Sequence, residues 1–427
     1  MCYPTKVPHL SAVPAAPRPP LDLAKLTRVQ QPALRWAEPL GKITPARVHQ
    51  MLTAANAGDS EAYLTLAAEA EERYGHFASV IQTRKLAVCG ENIEVSPGDK
   101  SELAQQVADA FREHVVDQTC FHDLLLDLSD GVSKGYSVVQ PHWDFETTPW
   151  VYREFEWLDP RYFVFDRNHL TKIRLRSEGR PDGIELAPGQ VIYHRPRTRS
   201  GIPLRTGLIR PVSIAWMFQG SSVSQWSAFA EVFGMPLRIG KYNPESASDH
   251  EIEQLRLALI NLGHDAAGII PNTMDLEVLD ARRPTSGNNV FEGIADYWDR
   301  VTSKIVLGGT MTSEAGSSLA QAKVHDEVRL DLKRSDARAL EGTVHAQVAA
   351  PWTLYNYGPF APVPKIRLAV DPPEDLAAFS SAVAPLIKAG LRVSAAEVRA
   401  KFGLRDPEPD EEVIELATAP ESMEPAL

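Results

Sequence analysis

Hydrophobic residues in the stretch from Asn288 to about Val348 recur at spacings typical of two helices. The first helix shows one apolar stripe at intervals of three and four residues, formed by Phe291, Ile294, Trp298, Val301 and Ile305. Gly308 and Gly309 are expected to end it, because paired glycines favour neither helix nor strand. Ser318 with Gln321 fits a capping box, so a second helix is expected to begin there.

The second predicted helix carries interleaved charges of both signs, among them Lys323, Asp326, Arg329 and Asp331. One interpretation is a solvated helix face with local ion pairs. The other is a helix that faces copies of itself and a passing polyanion. The charge pattern alone leaves both open.

Residues 46–210 read first as helices and then as strands. Helical patterns cover Thr44 to Tyr74, His76 to Ala87 and a pair within residues 101–130. Short alternating or aromatic segments then predict strands at Ser137–His142, Trp150–Trp157, Tyr162–Phe165, Thr171–Arg176 and Gln190–Arg195. The first half of the chain is therefore predicted to be an α+β body.

A long apolar helix is predicted within Pro203 to Phe233. It carries small residues that would let another helix approach closely, namely Gly220, Ser221, Ser224 and Ser227. A small α/β unit follows at about residues 235–285. We expect its strands at Pro236–Tyr242, Gly268–Pro271 and Leu276–Leu279, and its helix from Asn243-Pro244 with Ser248 and Glu251 as a capping box.

The two ends of the chain differ in composition from its middle. Residues 1–45 are proline-rich and lack periodicity, which predicts a flexible or extended arm. After an extended piece at Pro364–Val370, Asp371-Pro372-Pro373 marks a boundary, and helices are expected at Leu376–Ala389 and Ser394–Phe402. From Pro407 the chain is acidic and is predicted to be disordered.

The overall composition restricts the function. The 427 residues are 44% hydrophobic with a formal net charge of -12. A protein that grips phosphates shows a basic surplus, so the charge argues against a conventional DNA-binding domain but allows a protein that DNA slides past. The cysteines Cys2, Cys89 and Cys120 form no Cys-x-x-Cys pair, and no apolar run reaches the length of a membrane span. A soluble protein of a reducing, cytoplasmic compartment is expected.

Candidate chemistry is sparse. No P-loop, dinucleotide fingerprint or nucleophile elbow is present. Two clusters of possible metal ligands are expected to be structural. In His325-Asp326-Glu327, adjacent helical residues point to different faces and no second histidine lies four positions away. His114, Cys120 and His122 fall between apolar helical residues, which favours packing. The basic run Arg195, Arg197, Arg199, Arg205 and Arg210 suits a solvated loop or an acidic neighbouring subunit better than nucleic acid. No catalytic residue, metal site or cofactor site is predicted.

Several long strings, taken in order, resemble the Mu-like family of tailed-phage portal proteins. The clearest is WSAFAEVFGMPLRIGKY from Trp226, preceded by SGIPLRTGLIRP from Ser200. The others are HFASVIQTRKLAV from residue 76, LLLDLSDGVSKGYSVVQPHW from residue 124, LINLGHDAAGIIPNTMDLEVLD from residue 259 and SKIVLGGTMTSEAGSSLAQAKVHDEVRLDLKRSDA from residue 303. Two departures are Gln225, where the family usually has an acidic residue, and the lack of an aromatic residue near Ser317-Ser318.

The resemblance implies an α+β portal fold that assembles as a ring, usually a dodecamer. The implied regions are a flexible Pro-rich N-terminal arm (1–45), an α+β wing (46–210), a first stem helix (211–234), an inserted α/β clip (235–286), a second stem helix (287–307), a tunnel loop with a long helix (308–350), a return to the wing (351–370), a helical crown (371–406) and an acidic tail (407–427).

The resemblance also implies which residues serve each part. The tunnel loop would comprise Gly308, Gly309, Thr310, Thr312, Ser313, Glu314, Gly316, Ser317 and Ser318. The stem would use Trp226, Phe229, Phe233, Phe291, Ile294 and Trp298. The clip would use Arg238, Lys241, Tyr242, Ile252, Leu255 and Leu259.

The partners implied by the resemblance are further copies of the chain, the terminase large subunit, the major capsid and scaffold proteins, neck or head–tail adaptor proteins and double-stranded DNA that passes without sequence specificity. The expected location is the virion, at a capsid vertex, with assembly in the host cytoplasm. Two alternatives are a metal-dependent DNA-processing enzyme of a mobile element, and a head–tail adaptor without a DNA channel.

Overall fold

The computed structural model describes residues 40–41, 43–166, 168–233, 238–261, 267–274, 287–309, 319–370, 376–390 and 392–402. Its helices are α1 (Pro45–Asn56), α2 (Glu61–Arg73), α3 (Gly75–Cys89), α4 (Glu102–Phe111), α5 (Thr119–Ser129), α6 (Gly131–Lys134), α7 (Ile209–Phe233), α8 (Asp249–Asn261), α9 (Gly287–Leu307), α10 (Leu319–Val344), α11 (Ala350–Tyr357), α12 (Leu376–Lys388) and α13 (Ala395–Lys401). The chain divides into two units, residues 1–370 and 371–427.

The strands are β1 (Ile93–Ser96), β2 (Ser137–Asp144), β3 (Val151–Leu158), β4 (Phe163–Phe165), β5 (Ile173–Ser177), β6 (Arg180–Glu185), β7 (Ile192–His194), β8 (Arg238–Tyr242), β9 (Ala267–Pro271) and β10 (Lys365–Leu368). Three small sheets are antiparallel, with the orders β3-β2-β7, β4-β5-β6 and β1-β10. The fourth, β8-β9, is parallel. The predicted α+β class is thus confirmed.

Strand β2 separates two hydrophobic cores in the first unit. Successive side chains of a strand point to opposite faces. Val138 therefore packs into a core with Tyr63, whereas Val139 packs into a second core with Trp352. The first core gathers side chains of α1, α2, α3, β4, β5 and one end of α7 and α9. Because both faces of β2 are buried, its sequence SVVQ lacks the polar alternation of a surface strand.

The long helix continues further than its sequence suggests. The sequence predicts that it ends near Val348, but α10 passes through a π-helical turn at His345–Ala349 into α11. Pro351 has no N–H and its ring crowds the carbonyl four residues earlier. The wider π turn lies immediately before this proline, so the helix accommodates it without ending.

Side-chain amides from this helix cover the ends of the sheet β3-β2-β7. Gln347 donates to the carbonyl of Tyr193 in β7 and accepts from its N–H, both at 2.8 Å. Asn356 does the same for Trp150 beside β3, at 2.7 and 3.0 Å. Unpaired backbone N–H and C=O groups at the edge of a sheet can pair with another chain. The two side-chain amides hydrogen-bond to these backbone groups of Tyr193 and Trp150 instead.

The charges on α10 form ion pairs both across the fold and along the helix. Asp336 accepts two hydrogen bonds from Arg84 in α3, and Lys333 pairs with Glu91. The more exposed Arg334 pairs with Asp331 one turn away. Some of the charged residues on α10 therefore form ion pairs with other parts of the fold. Neither interpretation of the charge pattern included such contacts.

Strand β6 was missed in the sequence. Its segment RPDGIE contains a proline and a glycine, both rare inside strands, and shows no alternation. The structure forms it as the second arm of a hairpin with β5, in which Ile184 pairs with Leu175. Gly179, with φ 75°, makes the turn that brings the two strands together.

The second unit contains the two helices α12 and α13 predicted from the sequence. Phe379 contacts Phe402 with ring centroids 6.1 Å apart, and the Lys401 ammonium lies 4.6 Å from the Phe379 ring centre. No described side chain in this unit is buried. Residues 1–39 and 403–427, which include nearly all of the predicted arm and the acidic tail, lie outside the described residues.

Candidate functional site

Helices α7 and α9, the two predicted stem helices, pack antiparallel along each other. Phe218 of α7 stacks on Trp298 of α9, with ring centroids 5.0 Å apart and planes within 9°. Further along, Phe229 contacts Phe291 at 5.7 Å. These aromatic side chains form the seam between the two helices. Phe218 was missed as a stem residue, although it starts a stripe with Ser222 and Trp226 at helical spacing.

One end of this helical pair is anchored in the first core. Val212 and Trp216 of α7 are buried there, as are Val306 and Leu307 of α9. Away from that end, the only buried side chains among those described in the two helices are Ser222 and Ala295. The pair is therefore held firmly at one end.

Helix α3 fixes the anchored end of α9 through polar contacts that the sequence did not reveal. The Tyr74 hydroxyl, just before α3, donates to Asp299 at 2.7 Å and lies 3.0 Å from the Thr302 hydroxyl. Burial raises the pKa of this tyrosine, so it stays protonated and can donate. His76 contacts the hydroxyl of Ser303 at 2.7 Å.

Large apolar side chains are exposed along the pair. Six of them are between 40% and 55% exposed: Ile214, Phe218, Val223, Val290, Ile294 and Tyr297. Scattered exposed apolar residues need no explanation, but a group on two adjacent helices marks a candidate interaction surface. Ile294, predicted as a stem residue, belongs to this exposed set and Trp226 is half-buried.

The small residues of α7 lie away from α9. Gly220, Ser221, Ser224 and Ser227 are all exposed. A Cβ atom added to Gly220 would meet no atom within 4 Å. The seam with α9 instead uses Phe218 and Phe229. The close approach of another helix to these small residues therefore stays a prediction.

The predicted clip is a βαβ unit in its described part. Strands β8 and β9 are parallel and α8 lies between them in sequence. Leu255 and Leu259 of α8 pack on Gly240 of β8, where a Cβ would come within 2.8 Å of Leu259. The glycine is needed for this close approach of helix and strand.

The capping box of α8 is confirmed. The Ser248 backbone N–H donates to the Glu251 carboxylate at 2.8 Å, and the Glu251 N–H donates back to the serine hydroxyl at 3.4 Å. The helix begins at Asp249 rather than at Asn243-Pro244, because Asn243 first accepts turn hydrogen bonds from the following residues.

Other predicted clip residues are only partly buried. Tyr242 and Ile252 are half-buried and Lys241 is exposed. The side chains of Arg238 and of the stem residue Phe233 are not among those described, and the strand expected at residues 276–279 lies outside the described residues.

Only the start of the predicted tunnel loop is described. Gly308 ends α9 with φ 75°, and its N–H donates to the backbone carbonyl of Lys304 at 3.1 Å. Gly309 follows it. The remaining predicted loop residues lie outside the described residues, as does the Ser318 end of the predicted capping box: Thr310, Thr312, Ser313, Glu314, Gly316, Ser317 and Ser318.

Of the candidate metal cluster His325-Asp326-Glu327, the side chains of His325 and Asp326 are not among those described. His114 and Cys120 are buried whereas His122 is exposed. Across the described ranges no group of three or more His, Cys, Asp or Glu side chains could hold a metal ion. Cys89 and Cys120 are buried and form no disulfide within the described part of the chain. No helix in the described part of the chain has both the length and the apolarity to cross a membrane.

The basic run is partly structural. The Arg210 guanidinium donates to the Leu204 carbonyl at 2.7 Å and to Asn56 at 2.9 Å, and lies over the Tyr63 ring. Arg197 and Arg199 are exposed. The run therefore has a structural role at Arg210, whereas Arg205 is exposed like Arg197 and Arg199.

Comparison with known proteins decides the family. The family model described as the portal protein of Mu bacteriophage matches residues 64–404. The portal protein of Escherichia phage Mu is 31% identical over 382 residues, covering 88% of this chain and 74% of the relative. The Mu-like prophage FluMu protein gp29 of Haemophilus influenzae is 30% identical over 364 residues, covering 83% and 69%.

The chain belongs to the Mu portal protein family. Its function is that of a phage portal protein, which belongs to the virion at a capsid vertex. The match to this portal family begins within α2 and extends beyond α13, so it includes the helical pair and the βαβ unit.

Solved structures give weaker similarities. A chain in the neck of an empty GTA particle, computed with C6 symmetry, has a TM-score of 0.49 at 13% identity and covers 87% of this portal chain and 96% of its own. An HK97 family phage portal protein from Corynebacterium diphtheriae has a TM-score of 0.36 at 11% identity, covering 72% and 94%.

Proposed function

We propose that twelve copies of this chain form a closed ring whose central channel carries double-stranded DNA into and out of the head. The observation that carries the proposal is the group of half-exposed apolar side chains on α7 and α9 in a member of the portal family. Covering such surface stabilises association by about 25 cal/mol per Å² of apolar area. Neighbouring copies in a ring would cover it at every subunit.

The acidic net charge of the chain is consistent with DNA that slides through the channel and does not bind tightly to it. Each phosphate that a protein neutralises strengthens binding to DNA, and would therefore slow sliding. The formal net charge of -12 suits a channel that makes few lasting phosphate contacts and reads no sequence. The stem helices, βαβ clip and tunnel loop would line or border this channel.

The remaining partners follow from the same role. The proposed ring assembles in the host cytoplasm with scaffold and major capsid proteins, docks the terminase large subunit during packaging and afterwards holds the neck proteins. The terminase would supply ATP hydrolysis, so this chain would need no catalytic residue.

Purified ring incubated with ATP, or with Mg²⁺ and DNA, is expected to show neither ATP hydrolysis nor DNA cleavage. Turnover that disappears on mutating His325 or Asp326 would favour the alternative of a DNA-processing enzyme.

A mass measurement tests the ring. At micromolar concentration and physiological salt, the purified protein is expected to have twelve times the mass of the 47.1 kDa chain and to show a central hole by negative stain. Ile294→Asp places a charge within the exposed apolar surface of α9 and is expected to reduce the mass of the assembly. Phe360→Asp places the same charge on a residue that is 97% exposed elsewhere, and is expected to leave the ring intact. A strictly monomeric wild type would contradict the proposal.

A further inference from the structure

A continuous groove runs across the first unit between α2, α3 and β3. It consists of two adjoining cavities of about 490 and 390 Å³, which share Glu71, Lys134 and Trp157 as lining residues. Helix α2 contributes Leu64 and Ala68 to its apolar wall. Nothing in the proposed channel function uses this groove.

The groove carries surplus negative charge. Six carboxylates line it, those of Glu71, Glu72, Asp127, Asp130, Glu156 and Asp159. The three cations, Lys85, Lys134 and Arg161, are already engaged with carboxylates of the same groove. Six carboxylates against three lysine and arginine side chains, with His142 also bonded to Glu156 at 2.9 Å, give the groove a negative potential that favours a cationic ligand.

One buried acceptor in the groove lacks a partner. Glu71 receives Lys85 on Oε2 at 2.9 Å, but its Oε1 is buried and accepts no hydrogen bond. A buried acceptor without a donor costs about 1–3 kcal/mol. A donor brought by a ligand would remove that cost.

Aromatic and aliphatic surface accompanies this charge. The Trp157 ring lies at the junction of the two cavities and is 37% exposed, with the Lys134 ammonium 5.2 Å from its centre. Leu126, at the other end, is 39% exposed. A groove of carboxylates with exposed apolar side chains suits an extended peptide that carries arginine or lysine between apolar residues.

The described chain begins on the opposite face of α2, the helix that forms one wall of this groove. The Leu40 backbone N–H donates to Glu69 of α2, and its carbonyl accepts from Arg73 of the same helix at 2.8 Å. Glu71 and Glu72 of that helix line the groove. The 39 residues before Leu40 therefore join the structure on the helix that forms one wall of the groove.

The composition of those residues complements the groove. Residues 1–39 contain five Lys and Arg against two Asp and Glu, in a chain whose total is -12. They include eight prolines, and Arg35-Trp36 combines a cation with an aromatic ring shortly before Leu40. Proline-rich segments are already extended, so binding them costs less entropy.

We infer that the N-terminal arm, residues 1–39, binds in this groove. The arm of the same chain is the expected occupant because it enters the structure on α2. Fully extended, 39 residues reach about 130 Å, so the arm of a neighbouring copy can also reach it. The family match begins at residue 64, so the arm precedes the matched region whereas the groove lies within it.

Photo-crosslinking in the full-length assembled protein tests the inference. A benzoylphenylalanine in place of Trp157 keeps an aromatic ring in the groove, and a second in place of Leu126 reports from its other end. Both are expected to crosslink to peptides from residues 1–39, as identified by mass spectrometry. The same group in place of Phe360 is the control and is expected to give no crosslink to the arm.

A charge change provides a second, independent measurement. Glu72→Lys is expected to lower the crosslink yield at position 157 at least threefold, because Glu72 is exposed in the groove and pairs with no cation in the described part of the chain. Glu113→Lys makes the same charge change on an exposed residue outside the groove and is expected to leave the yield unchanged.

The outcomes separate the possible occupants. A crosslinked product of one chain mass assigns the arm of the same chain, and a product of two chain masses with an arm peptide assigns the arm of a neighbour. Both support the inference. Crosslinks from both groove positions that contain no peptide of residues 1–39, or only peptides of another phage protein, overturn it. Neither result bears on whether the ring forms, which the mass measurement decides separately.

Discussion

Arg84 of α3 holds Asp336 of α10 in a two-point contact, with Nε to Oδ2 at 2.7 Å and Nη2 to Oδ1 at 3.0 Å. The same guanidinium donates from Nη1 to the carbonyl of Val306 at 2.8 Å. Arg84 therefore joins the last turn of α9 to the helix that follows the predicted tunnel loop. Both partners of the ion pair are nearly buried. If one partner is removed, the other is left as a buried charge with little access to water.

Arg84→Met is expected to destabilise the fold by about 3–5 kcal/mol, because it leaves the Asp336 carboxylate buried without its partner. Arg84→Lys should recover only part of this, since an ammonium cannot make the two parallel hydrogen bonds of a guanidinium. Chemical denaturation of the purified variants measures both.

Arg334→Met serves as the control for this prediction. Arg334 pairs with Asp331 at 3.7 Å, with 38% of its side chain exposed and 79% of its partner's. Exposed pairs contribute about 0–1 kcal/mol. Equal losses for Arg84→Met and Arg334→Met would mean that the Arg84 contact does not hold the two helices together.

Gly308→Ala is expected to cost about 1–2 kcal/mol, because a side chain is unfavourable at its φ of 75°. Its Cβ would also lie 2.6 Å from Cγ1 of Val328 in α10, a short and stiff side chain. Thermal unfolding should therefore shift to lower temperature.

The control is a glycine in the middle of a helix. Gly342→Ala in α10 places a Cβ where no atom lies within 4 Å. Alanine favours a helix over glycine by about 0.5–1 kcal/mol, so this variant should be more stable than the wild type. A gain of stability in both variants would contradict the helix-ending role of Gly308.

Much of the fold could be predicted where one local rule suffices. The stripe from Phe291 to Ile305 predicted α9, and the Ser248–Glu251 box lies at the start of α8, although the helix was predicted to begin earlier, at Asn243-Pro244. In both cases the determining contacts lie within one or two turns of the same helix.

The missed features depend on contacts made outside the segment whose pattern was considered. Strand β6 exists because β5 pairs with it, and its own composition argues against a strand. The Ser303 hydroxyl is hydrogen-bonded to His76, which lies 227 positions earlier. The partial burial of the βαβ unit and of the stem pair is likewise invisible to periodicity, because a pattern shows which face is apolar but not what covers it.

Asp127 makes stability depend on pH. Burial, with Asp130 and Asp123 nearby and only partly offset by Lys85, raises its pKa to about 6, compared with about 3.9 when unfolded. The folded state therefore binds the extra proton between these values. The resulting stability is fully present below pH about 4 and is lost as the pH rises through 6.

Asp127→Asn removes the buried charge and should be more stable than the wild type at pH 7 to 8, with the difference shrinking towards pH 4. Melting temperatures across pH 4 to 8 measure it. Asp117→Asn, at an exposed aspartate, is the control and is expected to follow the wild-type curve. A gain for Asp127→Asn that is the same at every pH would contradict the assigned pKa shift.

The tunnel-loop prediction can be tested through its proposed contact with moving DNA. Ser317→Lys would add one phosphate contact in every subunit at once, and a closed ring multiplies even a weak contact. Because phosphate binding weakens as salt rises, the variant should package DNA more slowly and to a shorter length at low salt and should recover at high salt. Ser79→Lys makes the same substitution at an exposed position of α3 and is expected to package normally. If the Ser317→Lys ring is intact by negative stain and packages like the wild type at low salt, then the segment from Gly308 to Ser318 does not face DNA and the proposed position of the channel is wrong.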